Sequence, residues 1–309
     1  MKIVFMGTPE FAVPSLEALV KEGWELKLVV TQKDKPKGRG KKIQFTPVKE
    51  KALELGLEVF QPDSINSVES IEKISAINPD FIVVVAYGQI LKKSILEIPK
   101  YGCYNVHASL LPKYRGAAPI NWAIINGEKE TGVTIMEMDE GLDTGDMVLS
   151  KAIPIQDDDD AISIHDKLSI LGGKLIVEAL NGIVAGKLEK IPQDHSLSSY
   201  ASMLSKDMGR INWNRSAESI INLIRGLKPW PSAYTDYKGE KIKIHKASVT
   251  NEVKDGACGE IVEVNKNGIY VNTKDKKIVL EEIQFPNKRK MTVEEYLRGN
   301  SIEKGIVLR

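Results

Sequence analysis

Asn105, Val106 and His107 set an amide and an imidazole two residues apart, and Asp143 follows in the glycine-flanked run Gly141-Leu142-Asp143-Thr144-Gly145-Asp146. Successive side chains of a strand point to opposite faces, so residues 105 and 107 share one side if residues 102–106 form a strand. An amide donor and a titratable ring then face one cleft. A carboxylate from the second loop would orient the ring and favour its protonated form. This trio suits a transfer in which one substrate supplies the nucleophile while the protein stabilises a tetrahedral oxyanion and moves protons. An Asn-X-His by itself has a plainer reading, a histidine satisfied by local hydrogen bonds; the loop context supports the functional one.

What is missing narrows the chemistry further. The chain has no GxSxG nucleophile elbow and no GxxxxGK[ST] phosphate loop, and Gly7 is not followed by the glycines of a dinucleotide fingerprint. Cys103 reads as a buried residue of the sheet rather than a nucleophile. Cys103 and Cys258 lack CxxC spacing, so a zinc site or a secreted disulfide framework is not indicated. The aspartates Asp157 to Asp160 precede the helical pattern of residues 161–185, where the helix dipole favours acidic side chains, and no metal is expected there. Group transfer fits this inventory better than covalent catalysis.

The elements that must position the trio follow from hydrophobic patterning. Residues 2–6 (KIVFM) read as a strand ended by Gly7-Thr8-Pro9, residues 11–20 as a helix, 26–31 as a second strand, 46–55 as a helix and 57–60 as a short strand. Residues 67–77 continue with a helix, and 80–86 form a near-continuous apolar run typical of a strand buried on both faces. Gly102 to Val106 gives a strand, Pro119 to Asn126 a helix and Thr131 to Met138 a strand. This alternation predicts a doubly wound, Rossmann-like α/β domain over residues 1–189, with the site in loops at strand ends. Residues 190–208 read as a polar linker. Ser216 to Leu227 reads as a helix, and the short β-like runs of 241–285 predict a small OB-like β-barrel domain over 209–309.

Composition sets outer limits. With 309 residues, 42% of them hydrophobic, and a net charge of +1, the chain is a folded protein rather than a disordered one. No stretch approaches the ~18 apolar residues of a membrane span, and a cytoplasmic, monomeric protein is the default expectation. Charge is unevenly spread: residues 190–309 carry 21 basic and 15 acidic side chains, against 22 and 27 before them. A basic carboxyl-terminal part is compatible with an anionic macromolecular partner and equally with a plain solvated surface.

Five ordered motifs carry a resemblance. Gly7-Thr8-Pro9-Glu10-Phe11-Ala12-Val13-Pro14, Asn105 to Pro112 (NVHASLLP), Tyr114 to Pro119 (YRGAAP), Gly141 to Asp146 (GLDTGD), and Ser205-Lys206-Asp207 with Arg210-Ile211-Asn212-Trp213 span nearly the whole chain. Together they resemble the folate-dependent formyltransferase family, in the branch that acts on a tRNA. The resemblance implies transfer of a formyl group from 10-formyltetrahydrofolate to the α-amino group of methionine on the methionyl initiator tRNA. It makes Asn105, His107 and Asp143 catalytic: Asn105 and His107 would bond the developing oxyanion, and Asp143 would hold His107 and assist proton transfer. Ser109, Leu110, Leu111 and Pro112 would bind the folate.

The run Lys33 to Lys42 (KDKPKGRGKK) holds six basic residues and one acidic one, with glycines and a proline that suggest a mobile loop. A solvated charge run is the usual reading of such a segment. The resemblance makes Lys35, Lys37, Arg39, Lys41 and Lys42 tRNA contacts, through phosphate neutralisation. Enzymes of the same superfamily acting on an amino-sugar nucleotide or on glycinamide ribonucleotide would share the trio. An RNA-binding protein with an inactive α/β domain is the reading from another class; the presence of all three residues counts against it.

Overall fold

A computed structural model describes residues 1–37 and 42–309. The chain opens with β1 (Lys2–Gly7), α1 (Val13–Lys21) and β2 (Glu25–Val30), then a hairpin of β3 (Lys35–Lys37) and β4 (Lys42–Gln44). It continues through α2 (Pro47–Glu54), β5 (Val59–Phe60), α3 (Val68–Ile77), β6 (Phe81–Val85), α4 (Lys93–Leu96) and β7 (Cys103–His107). Helix starts follow local chemistry: Thr46 caps α2, its hydroxyl accepting from the Lys49 amide with Pro47 in the first turn, and Ser67 caps α3 in the same way.

After β7 come β8 (Arg115–Gly116), α5 (Pro119–Ile125), β9 (Glu130–Glu137), β10 (Met147–Pro154), α6 (Ala161–Val184) and β11 (Tyr200–Ala201). Seven strands form one sheet in the order β10-β9-β7-β6-β1-β2-β5. Five of them, from β5 to β7, are parallel. The chain winds from β1 through β2 to β5 on one side, then through β6 to β7 on the other, so the winding reverses between β1 and β6. Ligands of such sheets bind beyond the carboxyl ends of the strands at that switch point. The β6 run FIVVV is buried throughout, as a strand covered on both faces must be. β9 departs from an all-parallel sheet and runs antiparallel to β7, because a connection that starts and ends at the same end of a sheet reverses the strand direction.

Packing divides the chain into two units. Met1–Pro119, Thr131–Ile153 and His165–Ala201 form the first; Ile120–Glu130, Pro154–Ile164 and Ser202–Arg309 form the second. Residues 190–201, part of the stretch that reads as a polar linker, are built into the first unit. Ile191 bridges Met147 and β11 pairs in parallel with β8. The anchoring comes from two-residue bridges and side-chain bonds, which leave no periodic pattern to read.

In the second unit α7 (Ala217–Gly226) packs on β13 of an antiparallel sheet. That sheet comprises β12 (Ala233–Tyr237), β13 (Glu240–Val253), β14 (Ile261–Asn265), β15 (Gly268–Asn272) and β16 (Lys276–Gln284) in the order β12-β13-β16-β15-β14, with β17 (Met291–Thr292) beside β16 and leading into α8 (Val293–Leu297). Register shifts along the 14-residue β13 mark the bulges that curl a sheet. Residues 305–309 bridge its two outer strands. The Ile261 amide donates to Ile306 and the Leu308 amide to Gly259, while Asp236 and Arg309 exchange amide and carbonyl bonds. Ile242, Ile244, Ile269, Val271, Leu280 and Ile283 fill the interior.

Candidate active site

Every residue of the site lies in the first unit, around the carboxyl end of β7. Cys103 is buried in the strand, and its thiol is pushed well above the usual range by burial and by Glu137, so it stays protonated and inert. Two positions on, Asn105 Nδ2 donates to Asp143 Oδ1 at 3.4 Å. Two further on, His107 is buried with its Nδ1 3.7 Å from Asp143 Oδ2. The alternation along β7 and the loop after β9 therefore bring together the trio expected from sequence.

The rest of the geometry comes from Tyr114-Arg115-Gly116. The Tyr114 carbonyl lies 3.0 Å from His107 Nε2. A carbonyl only accepts, so Nε2 carries the hydrogen and Nδ1 is the nitrogen left for other work. The Gly116 amide donates to Asp143 Oδ2 at 2.8 Å. Between them, the buried Arg115 donates through Nε and Nη2 to Gln193 Oε1 at 3.1 and 2.7 Å, and Nη2 also reaches His195 Nδ1 at 3.2 Å. Gln193 Nε2 in turn donates to the carbonyls of Asp143, at 2.9 Å, and Gly145, at 2.7 Å.

Two non-glycine residues here adopt left-handed backbone, Tyr114 at φ 61° and Asp143 at φ 53°. Each conformation costs about 1–3 kcal/mol and persists only where its surroundings hold it. The Tyr114 amide is held by Ser199 Oγ at 2.9 Å. The Asp143 loop is closed on its outer side by Asp139, whose carboxylate accepts from Thr144 Oγ1 and the Gly141 amide. A Cβ at Gly145 would overlap the Glu137 carbonyl, so this turn admits only glycine.

The expected folate segment forms the turn after β7. Ser109 and Leu111 are buried, and Leu110 and Pro112 half-buried. Ser109 Oγ donates to the Lys113 carbonyl at 2.7 Å, and buried Thr134 joins the two ends of the turn, donating to Ser109 O and accepting from the Leu111 amide. At the switch point Thr8 Oγ1 donates to the Tyr87 carbonyl at 2.8 Å and accepts from the Gln32 amide at 3.4 Å, tying together the ends of β1, β2 and β6.

Of the basic residues expected to meet a nucleic acid, Lys35, Lys37 and Lys42 fall on the β3–β4 hairpin, whereas Arg39 and Lys41 lie outside the described residues. The root of the hairpin is fixed by Asp34, which accepts from Lys49 Nζ at 2.5 Å and from Gln61 Nε2 at 2.9 Å. Among the described residues, no group of three or more His, Cys, Asp or Glu side chains is arranged to hold a metal ion. No helix among them is long and apolar enough to cross a membrane.

Comparison with known proteins identifies the family. Residues 1–180 match the family model described as formyl transferase, and residues 203–301 match that for the formyl transferase C-terminal domain. The chain is 57% identical over 309 residues to methionyl-tRNA formyltransferase of Clostridium tetani (strain Massachusetts / E88), covering all of this chain and 99% of the relative. The chain belongs to the methionyl-tRNA formyltransferase family. Another member, from Clostridium novyi (strain NT), is 56% identical with both chains fully covered. The two-part fold of this family member is shared more widely. An N-formyltransferase from Helicobacter canadensis, solved with folinic acid and dTDP-3-aminofucose, superimposes with a TM-score of 0.70 at 24% identity, covering 91% of this chain and 98% of its own.

Sequence reasoning did not single out Gln193 or Thr134. Gln193 lies in an aperiodic stretch between the two matched segments, and only its buried, four-way bonding reveals a role. Thr134 reads from sequence as one more residue of an alternating strand.

Proposed function

We propose that this protein transfers the formyl group of 10-formyltetrahydrofolate to the α-amino group of methionyl initiator tRNA, in the cytoplasm, for translation initiation. One observation carries the chemical part: Asn105 Nδ2 and His107 Nδ1 converge on the carboxylate of Asp143 at a strand end where the neighbouring thiol is inert. Such a site moves protons and stabilises an oxyanion without a covalent enzyme intermediate. Full-length likeness to methionyl-tRNA formyltransferases supports the choice of acceptor.

On this reading the free amine attacks the formyl carbon and the carbonyl electrons move onto oxygen. Asn105 Nδ2 donates to that oxyanion. His107, its Nε2 tied to Tyr114, works through Nδ1, and Asp143 faces the charge the ring acquires. The tetrahedral adduct then collapses, the bond from the formyl carbon to the folate nitrogen breaks, and that nitrogen takes a proton equivalent to the one lost by the amine. The turn of Ser109, Leu110, Leu111 and Pro112 binds the folate. The acceptor tRNA is held by the cations Lys35, Lys37, Arg39, Lys41 and Lys42 and by those of the antiparallel β domain of residues 209–309. On this reading the protein acts as a monomer.

The test is a formyl-transfer assay with 10-formyltetrahydrofolate, comparing methionyl initiator tRNA with an amino-sugar nucleotide at matched concentration and salt. Formylation of the tRNA alone is expected. Formylation of the sugar alone would keep the trio and overturn the acceptor.

A further inference from the structure

We propose that Gln193, clamped by Arg115, is a positioning residue that sets Asp143 in its working place. The inference rests on the catalytic reading of Asp143 given above. The carboxylate of Asp143 must meet Asn105, His107 and Gly116 at once. That placement follows from a left-handed backbone at φ 53°, a conformation that something outside the loop must hold.

Gln193 meets that need from 50 residues further along the chain. Its amide orientation is forced: Oε1 faces a guanidinium, which only donates, and Nε2 faces two carbonyls, which only accept. Both N–H groups of Nε2 are spent on the Asp143 and Gly145 carbonyls, one on each side of Thr144. Both acceptor directions of Oε1 are spent on Arg115. The side chain is buried and fully satisfied, and it grips the backbone of Asp143 rather than its carboxylate.

Arg115 makes the clamp continuous with the rest of the site. It stands between Tyr114, whose carbonyl orients His107, and Gly116, whose amide orients the Asp143 carboxylate. One tripeptide thus sets the ring by a carbonyl, the carboxylate by an amide, and the carboxylate's own backbone by a side chain through Gln193. The buried guanidinium donates from Nε and Nη2 to Gln193 Oε1 and from Nη2 to His195 Nδ1, and so serves as a geometric clamp.

Two substitutions separate positioning from packing. Gln193→Leu removes all four bonds. Gln193→Glu keeps the side chain's size and its pairing with Arg115 but replaces both donors with an oxygen facing two carbonyls. A misplacement of about 1 Å at such a site costs ~10²-fold in turnover. Both variants are expected to lower kcat by about that factor while KM for 10-formyltetrahydrofolate and for the tRNA stays within about twofold. Gln193→Glu should lower the thermal midpoint less than Gln193→Leu does, because it keeps the pairing with Arg115. Placed in an Asp143→Ala background, Gln193→Glu should cause no further loss, because it acts through a group already removed. Wild-type turnover in Gln193→Glu, or a full additional loss in the double variant, would overturn the inference. Wild-type turnover in Asp143→Ala itself would instead remove the catalytic reading on which the inference stands.

Discussion

The carbonyl of Tyr114 and Nε2 of His107 are 3.0 Å apart, and this one hydrogen bond decides which face of the imidazole is available. It keeps the hydrogen on Nε2 and leaves Nδ1, 3.7 Å from Asp143, as the only ring nitrogen that can serve a reaction.

Two amides test that assignment, because Asn places its amide near the Nδ1 position and Gln near Nε2. His107→Gln should retain the bond to Tyr114 yet lose ~10²–10⁴-fold in kcat, the range for removing a positioned acid or base. His107→Asn should stand above it, since a donor remains beside Asp143 and Asn105. Single-turnover formyl transfer measures both. A Gln variant as active as the Asn variant would remove Nδ1 from the mechanism.

Gly116 has two constraints at once. Its φ is 113°, and an added Cβ would lie 2.9 Å from the Ala201 carbonyl on the paired strand. Gly116→Ala should therefore push β8 away from β11 and withdraw the amide that holds Asp143. Thermal or denaturant unfolding should show a loss of about 1–3 kcal/mol. Turnover should fall further than substrate affinity does, since the amide serves the carboxylate rather than a substrate.

Charge on the β3–β4 hairpin should govern tRNA affinity and its response to salt. Replacing Lys35, Lys37 and Lys42 together by alanine should raise KM for the tRNA and flatten the dependence of log KM on log salt. The slope should change by roughly one unit for each phosphate that a lysine no longer neutralises. KM for 10-formyltetrahydrofolate should not move. Titrating KM for both substrates between low and physiological salt distinguishes a tRNA-binding hairpin from a solvated charge run.

At the start of α6, Asp160 gives a stability prediction with a definite sign. Burial pushes its carboxyl upward, but the amides of Ser163 and Ile162 and the Lys228 ammonium at 3.0 Å outweigh burial and hold it below the usual carboxylate range. A group whose folded value is lowered stabilises the fold fully above its unfolded value and loses that contribution as pH falls through the folded one. Asp160→Ala should cost about 1 kcal/mol at neutral pH, the usual worth of such a cap. The difference from the parent should shrink as pH drops below about 4, the ordinary aspartate range. Urea unfolding at pH 7 and pH 3 measures it.

Hydrophobic patterning alone made most of the first unit legible. The runs KIVFM and FIVVVA read as strands and form strands, and the helices read over 46–55 and 67–77 begin within a residue or two of those bounds. The trio was legible as well, because alternation along β7 obliges Asn105 and His107 to share a side. The antiparallel return of β9 was not, since the direction of a strand depends on the end of the sheet at which its connection closes. The β3–β4 hairpin was also hidden, because its residues carry charge rather than an apolar alternation.

The residue types that can stabilise an oxyanion and move a proton, the family they belong to and the two-part plan were determined by the sequence itself, since each rests on local pattern and ordered motifs. Tertiary structure alone decided which nitrogen of His107 is free, what holds Asp143 in a left-handed turn, and that a glutamine 50 residues further along reaches its backbone. Those are relations between segments distant in the chain. They arise from the directions of single hydrogen bonds, which leave no period and no spacing in the sequence to read.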